Sequence, residues 1–445
     1  MNTTAYKIAS LVSAAGGRVY FVGGYVRDIL LGIENKDIDI EVHGIAPEVL
    51  PEILKEVGKP VSIGKSFGIY SLEGTGIDIA MPRKEKNTGR GHKAFEIFIN
   101  PFIGTLEAAR RRDFTINSMM QDVLTGEIID HFNGHSDLEK GIIRHVDDSS
   151  FCEDPLRVLR AAQFASRFKF EIAEDTKELC RLIDLSELSK ERVEGELKKA
   201  LLKGKKPSLF FDILRNTNQL ADWFPEVRQL AGIEQNPLFH PEGDVYMHTM
   251  QVLDRACGFR SNVKVPYSFM LFALTHDFGK ITTTEVINGA IHAYSHETAG
   301  VSIAEKFLKR ITCEKAVLAY VRNMIPLHMR PNMIAFSKSP VKKSNHMFDL
   351  ACAPADLVYF SMCDRPVFAG DTKFEGDSEF LFERLRIFEE TMSRPFVSGS
   401  DLIAAGLNPG PLFSKALAYS HKLRLAGIEK EDALKQTLAF ARKIK

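Results

Sequence analysis

Apolar residues along the chain follow two rhythms. Up to about Val146 they form short β-like runs, at residues 18–22, 38–42, 77–80 and 95–99, separated by helical patterns and glycine-rich turns. Alternation over four or five residues between turn signals predicts strands, so this first zone reads as α/β. From Asp154 to about Leu202 the spacing is helical throughout, and Gly204-Lys205-Lys206-Pro207 ends the run. From His240 onward, helical runs are interrupted by histidines and prolines, and Arg394-Pro395 marks a further boundary before a last helical segment. The predicted organisation is a head over residues 1–146, a helical neck over 147–235, a histidine-rich helical domain over 236–370 and a helical region over 371–445. Residues 7–15 mildly imitate a secretory signal, but serines break the apolar stretch and a glycine pair follows at once, so they read as a short helix.

Composition narrows the classes. The 445 residues include 58 Lys+Arg and 58 Asp+Glu, for a formal net charge of +0. That balance excludes a chain that coats nucleic acid by bulk cationic attraction, and leaves room for a local basic face. The six cysteines are scattered without a C-x-x-C pair, which argues against a disulfide framework or a zinc-thiolate site. No apolar run approaches the ~18 residues of a membrane span, so the expectation is a cytoplasmic protein that does not engage membranes.

The first chemical constellation follows the first strand. Gly23-Gly24-Tyr25-Val26-Arg27-Asp28 joins a buried strand to a helix start. Glycines let backbone N–H groups approach an anion, the helix start adds partial positive charge, and Arg27 stands one turn in to meet a phosphate. Such turns are common, and the signal alone is weak. Asp37-Ile38-Asp39-Ile40-Glu41 adds to it, because alternate residues of a strand share a face. Asp37 and Asp39 would project together, and adjacent carboxylates repel unless a divalent ion such as Mg2+ sits between them. A solvent-facing edge strand would carry the same residues. Gly76-Ile77-Asp78-Ile79-Ala80 alternates likewise and offers Asp78 as a third carboxylate. Together these features describe a nucleotidyltransferase site.

Further motifs follow in order: Arg111-Arg112-Asp113-Phe114-Thr115-Ile116-Asn117, Asp137-Leu138 with Gly141-Ile142-Ile143-Arg144, Glu153-Asp154-Pro155-Leu156-Arg157 with Arg160, and Glu191-Arg192-Val193-Glu194-Gly195-Glu196. The series over residues 16–205 resembles the tRNA nucleotidyltransferases, or CCA-adding enzymes, of the bacterial and eukaryotic class. The resemblance implies an α/β nucleotidyltransferase head with a mixed β-sheet, followed by all-α neck, HD and tail domains. It implies that Asp37 and Asp39 hold Mg2+ with Asp78 as a third carboxylate, and that Gly23, Gly24 and Arg27 contact the nucleotide. Arg112 with Asp113 would read the ribose and phosphates.

Pro155 suits a first helical position and makes Asp154 an N-cap, which is enough to explain that motif's shape. Asp154 and Arg157 are also three apart on one helix face. In the family this acceptor–donor pair selects CTP or ATP by the Watson–Crick edge, and Arg160 would hold the triphosphate. Residues 81–93 form a basic, glycine-containing stretch, either a solvated loop or, as the resemblance suggests, an element that helps switch from C to A addition. A second basic run at 198–206 is a candidate for tRNA phosphates.

The second constellation comprises His248, His276-Asp277, His296, His328 and Asp364. A lone histidine on an apolar helix is ordinarily a core residue, but a buried imidazole beside a carboxylate is costly without a metal or a partner. The order His248, His276-Asp277, Asp364 resembles the HD metal-dependent phosphohydrolase domain over about residues 236–370. The resemblance implies a divalent metal such as Mg, Mn or Ni on those four residues, with His296 and His328 as candidates for a second ion. Lys280 is placed either to meet a phosphate or to be solvated.

The expected activity is template-independent addition of C, C and A to the tRNA 3′ end from CTP and ATP, with phosphohydrolase activity on 2′,3′-cyclic phosphates and phosphomonoesters. The alternatives are a poly(A) polymerase or an A- or CC-adding enzyme, and, from another class, an RNA-binding protein with an inactive head.

Overall fold

The computed structural model describes residues 3–35, 37–64, 68–87, 95–237, 240–365 and 376–443. It divides into two compact units, Met1–Ala200 with Leu209–Asp222, and Leu201–Ser208 with Trp223–Lys445.

The first unit is built on strands β1 (Arg18–Val22), β2 (Ile38–His43), β3 (Pro60–Gly64), β4 (Ile69–Leu72), β5 (Ile77–Ala80), β6 (Arg83–Asn87), β7 (Phe95–Ile99), β8 (Met120–Asp122) and β9 (Ile128–Ile129). Seven of them form one sheet in the order β3-β4-β5-β2-β1-β8-β9. β2 and β5 run parallel and the other neighbours antiparallel, so the sheet is mixed, as expected. Its faces divide by chemistry. Ile38, Ile40, Val42, Ile77 and Ile79 pack into a core with Ala5, Ile8 and Val12 of helix Thr3–Ala14 and Leu50 and Leu54 of helix Val49–Lys55. The residues between them, Asp39 and Asp78, stay on the open face. Strand β6, from the basic stretch, pairs with β7 in a separate antiparallel ribbon; residues 88–93 of that stretch lie outside the described residues.

Helix Leu156–Phe168 buries Val158, Leu159, Ala161, Ala162 and Ala165, and leaves Arg157 and Arg160 half-buried. Asp154 begins it, accepting the Leu156 N–H at 3.1 Å. The stretch read as helical throughout is interrupted twice: Glu171–Ile172 pairs in parallel with Ile142–Ile143, beyond a helix end where Lys169 is left-handed, and residues 183–189 are non-helical between Glu174–Leu182 and Lys190–Lys203.

The second unit is mostly helical. Its exception is a hairpin, Thr284–Ile287 with Ala290–Ala293, in a region expected to be all-α. Asn288 and Gly289 both take positive φ, 52° and 79°, the conformation a two-residue hairpin turn needs. Residues after 395 have a core of their own, with Val397, Leu402, Ala416, Ala433 and Ala441, entered through a Ser398–Asp401 capping box. Among the described residues no helix is long and apolar enough to cross a membrane. None of the six cysteines is joined in a disulfide.

Candidate functional site

The head's carboxylates are brought together by strand pairing. In the β2–β5 register Asp39 stands directly opposite Asp78, with Ile38 opposite Ile77 and Ile40 opposite Ile79. Asp37 lies just ahead of β2, exposed, with its N–H on Asn35 Oδ1 at 3.0 Å. Partial withdrawal from water raises the Asp39 pKa, Arg112 opposes the rise, and Asp78 and Asp37 add to it by repulsion. A carboxylate destabilised by its carboxylate neighbours fits a hard divalent cation with oxygen ligands.

The glycine turn lies against these groups. Gly23 has φ +67°, and a Cβ there would sit 3.1 Å from Arg112 Nη1 and 3.9 Å from Asp39 Oδ2. A Cβ on Gly24 would come within 3.3 Å of Arg27 Nη2. The two glycines thus admit two guanidinium groups close to the main chain. Arg27 itself is only 3% exposed. Its Nε and Nη2 donate to Asp28 Oδ1 at 2.9 and 2.6 Å, and Nη1 donates to Asn117 Oδ1 at 2.6 Å. Phe164 and Phe168 flank it, with ring centroids 5.2 and 4.8 Å away. In this structure Arg27 braces the turn from within the fold, and the donors expected to face phosphate are engaged by protein.

Glu41 escaped the sequence reading. It continues the Asp37, Asp39 alternation, yet is 1% exposed. Arg112 Nη2 and Arg111 Nη2 approach its Oε2 at 3.2 and 3.4 Å, and His43 Nε2 lies 2.9 Å from Oε1. Burial alone would raise its pKa, but the His43 hydrogen bond and the two arginines pull it down to about 2. The available signal was the third acid of the alternating run, too short of the turn to join a metal site and too regular to be incidental.

Asp113 is buried and also tied. Its Oδ1 accepts from the Phe114 N–H at 2.8 Å and Asn117 Nδ2 at 3.0 Å, while Oδ2 accepts from Arg160 Nε at 2.7 Å and Nη2 at 2.6 Å. Burial works against its charge, yet Arg160 and Asn117 hold its carboxyl below the usual range. Asp154 and Arg157 share the start of one helix but bond elsewhere. Both carboxylate oxygens of Asp154 accept from Arg192 Nη2, at 2.9 and 2.8 Å. Arg157 donates to the Ser150 carbonyl at 2.7 Å and hydroxyl at 3.0 Å, and to the Arg111 carbonyl at 2.7 Å. In the basic run, Lys199 pairs with Glu196 at 2.8 Å, while Lys203, Lys205 and Lys206 are exposed.

The histidine-rich cluster lies in the second unit. Asp244 caps helix Val245–Ala256 through the Met247 N–H at 2.8 Å, which sets His248 in the first turn, facing inward. Helix Pro266–Thr275 is buried almost along its whole length and delivers His276 and Asp277 at its C-terminal end. Gly279 then makes a close approach: a Cβ there would lie 1.9 Å from the His296 carbonyl oxygen and 2.7 Å from the Gly300 nitrogen. Absence of that side chain lets the His276-Asp277 turn meet helix His296–Ile311.

Asp277 occupies the centre. Its Oδ2 is 2.8 Å from Lys280 Nζ, 3.2 Å from His276 Nε2 and 3.7 Å from His248 Nε2. Its Oδ1 faces the other side, 3.3 Å from His296 Nε2 and 3.8 Å from His328 Nε2. Asp364 Oδ1 lies 3.0 Å from His248 Nε2 and 3.5 Å from His276 Nε2. His248 with His276 and Asp364, and Asp277 with His296 and His328, each present ligand atoms within 4.8 Å of one another. The sequence places Asp277 with His248, His276 and Asp364; the structure brings all six residues together and groups Asp277 with His296 and His328. Lys280 is buried, on Asp277 and on Gln235 Oε1 at 2.8 Å, so the solvated alternative does not describe it.

The electrostatics of the cluster suit a divalent cation. Burial would lower the His276 pKa, but Asp277 and Asp364 carry it up to about 10. Burial pushes His328 down to about 4. Burial opposes the Asp277 charge, yet Lys280 and His276 hold it well below the ordinary carboxylate range. His276 Nε2 is fully enclosed without a hydrogen-bond partner. Imidazole nitrogens and carboxylates converging around such an atom are a donor set for a divalent ion.

Residues 19–144 match the family described as the Poly A polymerase head domain, and residues 169–230 the family described as a probable RNA and SrmB-binding site of polymerase A. The Multifunctional CCA protein of Nitrosococcus oceani is 38% identical over 314 residues, covering 70% of this chain and 74% of that protein. That of Laribacter hongkongensis is 42% identical over 271 residues, 60% of this chain and 64% of that protein. Among solved structures, the Thermotoga maritima CCA-adding enzyme complexed with tRNA aligns at TM-score 0.66 and 24% identity, over 97% of this chain and 93% of that one. A CCA-adding enzyme in complex with ATP aligns at TM-score 0.69 and 22% identity, over 99% and 94%. The structural likeness extends to the fold.

Proposed function

The chain belongs to the multifunctional CCA proteins, and from that premise we propose that it adds C, C and A to the 3′ end of tRNA from CTP and ATP, without a nucleic-acid template, releasing pyrophosphate. The observation that carries this reading is the register of β2 and β5, which sets Asp39 beside Asp78 next to a turn where Gly23 takes φ +67° with Arg112 Nη1 close by. The names of the relatives support it, as do the head and RNA-binding families matched in order.

Asp37 and Asp39, with Asp78 alongside, would hold Mg2+. The ion, when bound, lowers the pKa of the attacking 3′ hydroxyl and offsets charge on the departing pyrophosphate. The Gly23-Gly24 main chain receives the triphosphate, and Arg112, held by Glu41, adds its charge at the same turn. Asp154 accepts from the exocyclic amine of cytosine or adenine, and Arg157 donates to the neighbouring ring nitrogen, which excludes uracil and guanine. The Arg192 hydrogen bonds on Asp154 must open or be shared for that reading to occur. Arg160 bonds Asp113 and would hold the triphosphate. The segments 1–146, 147–235, 236–370 and 371–445 then correspond to transfer, base selection with tRNA binding, hydrolysis and a separate helical core.

The second centre is read as a metal-dependent phosphohydrolase acting on 2′,3′-cyclic phosphates and phosphomonoesters. His248, His276, Asp277 and Asp364 would hold one divalent ion, and His296 with His328 a second; Asp277 turns Oδ2 toward His276 and Oδ1 toward His296. Bound there, a divalent ion lowers the pKa of a water and supplies the nucleophile. Lys280, fixed on Asp277 and Gln235, keeps the shared carboxylate charged and turned.

The deciding experiment incubates tRNA lacking its 3′ end with labelled CTP and ATP. Ordered incorporation of two C and one A supports the reading. Long tails of A alone would favour a poly(A) polymerase, the alternative that the head-domain family description raises. Incorporation confined to A or to CC would mark a specialised enzyme. No incorporation, with hydrolysis of a 2′,3′-cyclic nucleotide intact, would leave an RNA-binding protein with an inactive head.

A further inference from the structure

Each of the four imidazoles in the second centre turns Nε2 toward the carboxylates, and each has its other nitrogen occupied. For His276, His296 and His328 the Nδ1 partner is the main-chain carbonyl three residues back: Ala273 at 2.9 Å, Ala293 at 2.8 Å and Ile325 at 2.7 Å. A carbonyl can only accept, so each ring carries a proton on Nδ1, and Nε2 is the nitrogen left to face a cation.

His248 cannot use that device. It sits within helix Val245–Ala256, where the preceding carbonyls serve the helix; its own N–H donates to the Asp244 carbonyl at 3.1 Å. Its Nδ1 instead meets Glu242 Oε1 at 2.6 Å. The Glu242 side chain is 6% exposed, and His240 Nδ1 braces the same oxygen at 3.0 Å. The local sequence produces this placement. Asp244 caps the helix, and Gly243, at φ +119°, folds the preceding residues back along its first turn. A buried carboxylate costs several kcal/mol unless it is bonded, and here its bonds go to a cluster histidine and to that histidine's neighbour in space, with ring centroids 4.8 Å apart.

We propose that Glu242 is a positioning residue of this centre: it takes the Nδ1 proton of His248 and so aims Nε2 at the divalent ion shared with His276 and Asp364. The proposal rests on the reading of the cluster as a metal centre. His240 holds the carboxylate and does not itself reach the ion.

The test measures Mn2+ affinity by equilibrium dialysis on the full chain, in an Asp39→Ala background that removes the head's ion, for residue 242 as Glu, Gln and Ala. The dissociation constant is expected to rise about 10–100-fold for Glu242→Ala. Glu242→Gln, whose amide oxygen still accepts the proton, should fall between. Metal-free melting of each variant is recorded alongside. Equal affinities with lowered metal-free melting would make Glu242 a structural residue and overturn the proposal; should the Ala variant not fold, the Gln variant carries the same comparison. Loss of one whole ion in both Glu242→Ala and His240→Ala would overturn it in another way, by making His240, Glu242 and His248 ligands of a separate ion. Absence of Mn2+ binding with Glu at 242 would remove the metal reading itself, a result distinct from failure of the positioning role.

Discussion

The two chemical centres of this chain solve the same problem, holding charge in place, with opposite materials. In the head the acids come from strands, stand on an open sheet face and repel one another. The residues beside them are paired with protein: Arg112 with Glu41, Arg160 with Asp113, Asp154 with Arg192. In the second unit the donors come from helix starts and ends, are buried, and face one another around Asp277. The difference fits the tasks proposed. A site that admits two different nucleotides and releases pyrophosphate benefits from ion pairs that can be exchanged, whereas a site that retains ions benefits from donors fixed before the ion arrives.

The comparison breaks most visibly if the centres are not separable. Asp39→Ala is expected to reduce nucleotide addition by roughly 10³-fold or more, the scale of several kcal/mol of lost charge stabilisation, while hydrolysis of 2′,3′-cyclic AMP continues at the wild-type rate. Asp277→Asn should do the reverse, cutting hydrolysis by a similar order and leaving addition intact; a chelator followed by Mn2+ should restore hydrolysis in wild type and not in the variant. Parallel loss of both activities in either variant, with folding retained, would sink the two-centre account.

Smaller effects sharpen the contrast. Glu41→Gln should destabilise the protein by about 3 kcal/mol at pH 7, from a pKa lowered from 4.5 to about 2. The stabilisation is complete above the unfolded value and is lost as pH falls through the folded one. The gap in urea stability between wild type and variant should therefore shrink by roughly half at pH 3. An unchanged gap would mean that Glu41 acts by packing and not by charge. Asp154→Ala should cost least in rate and most in choice, relaxing discrimination against UTP by about 1–3 kcal/mol, or roughly 10–100-fold in the ratio of kcat/KM values. Unchanged discrimination would move base reading off this helix start.

Much of this was legible in the chain because it depends on local periodicity. The strands at 18–22 and 77–80 coincide with the alternating runs, and Asp39 and Asp78 are exposed between buried isoleucines as strand geometry requires. The six-residue histidine cluster was readable because imidazole beside carboxylate in apolar helices is costly without a purpose. What escaped was set by tertiary structure. Nothing local said that Arg27 would be buried between Phe164 and Phe168, residues more than a hundred positions later. Glu41 looked like one more exposed acid until Arg111 and Arg112 arrived over it. Glu242 lay two residues before a helix cap, where no periodicity speaks. The Asn288-Gly289 turn is a local signal in the sequence: two residues that accept positive φ, flanked by Val286-Ile287 and Ala290-Ile291.

The pairing of Asp39 with Asp78 has a consequence for how the chain can vary. Thirty-nine positions of sequence separate them in number, but one rung of the ladder separates them in space, a spacing of about 4.8 Å fixed by the hydrogen bonds between neighbouring strands. The reach between the acids is thus independent of whatever lies between residues 44 and 76. Lengthening or trimming the outer strands β3 and β4, or the turns that join them, leaves the gap untouched. Sliding β5 by a single residue against β2 turns Asp78 into the core and an isoleucine into the site. The catalytic dimension of the head is a unit of measure that the backbone supplies, tolerant of insertion and intolerant of slip.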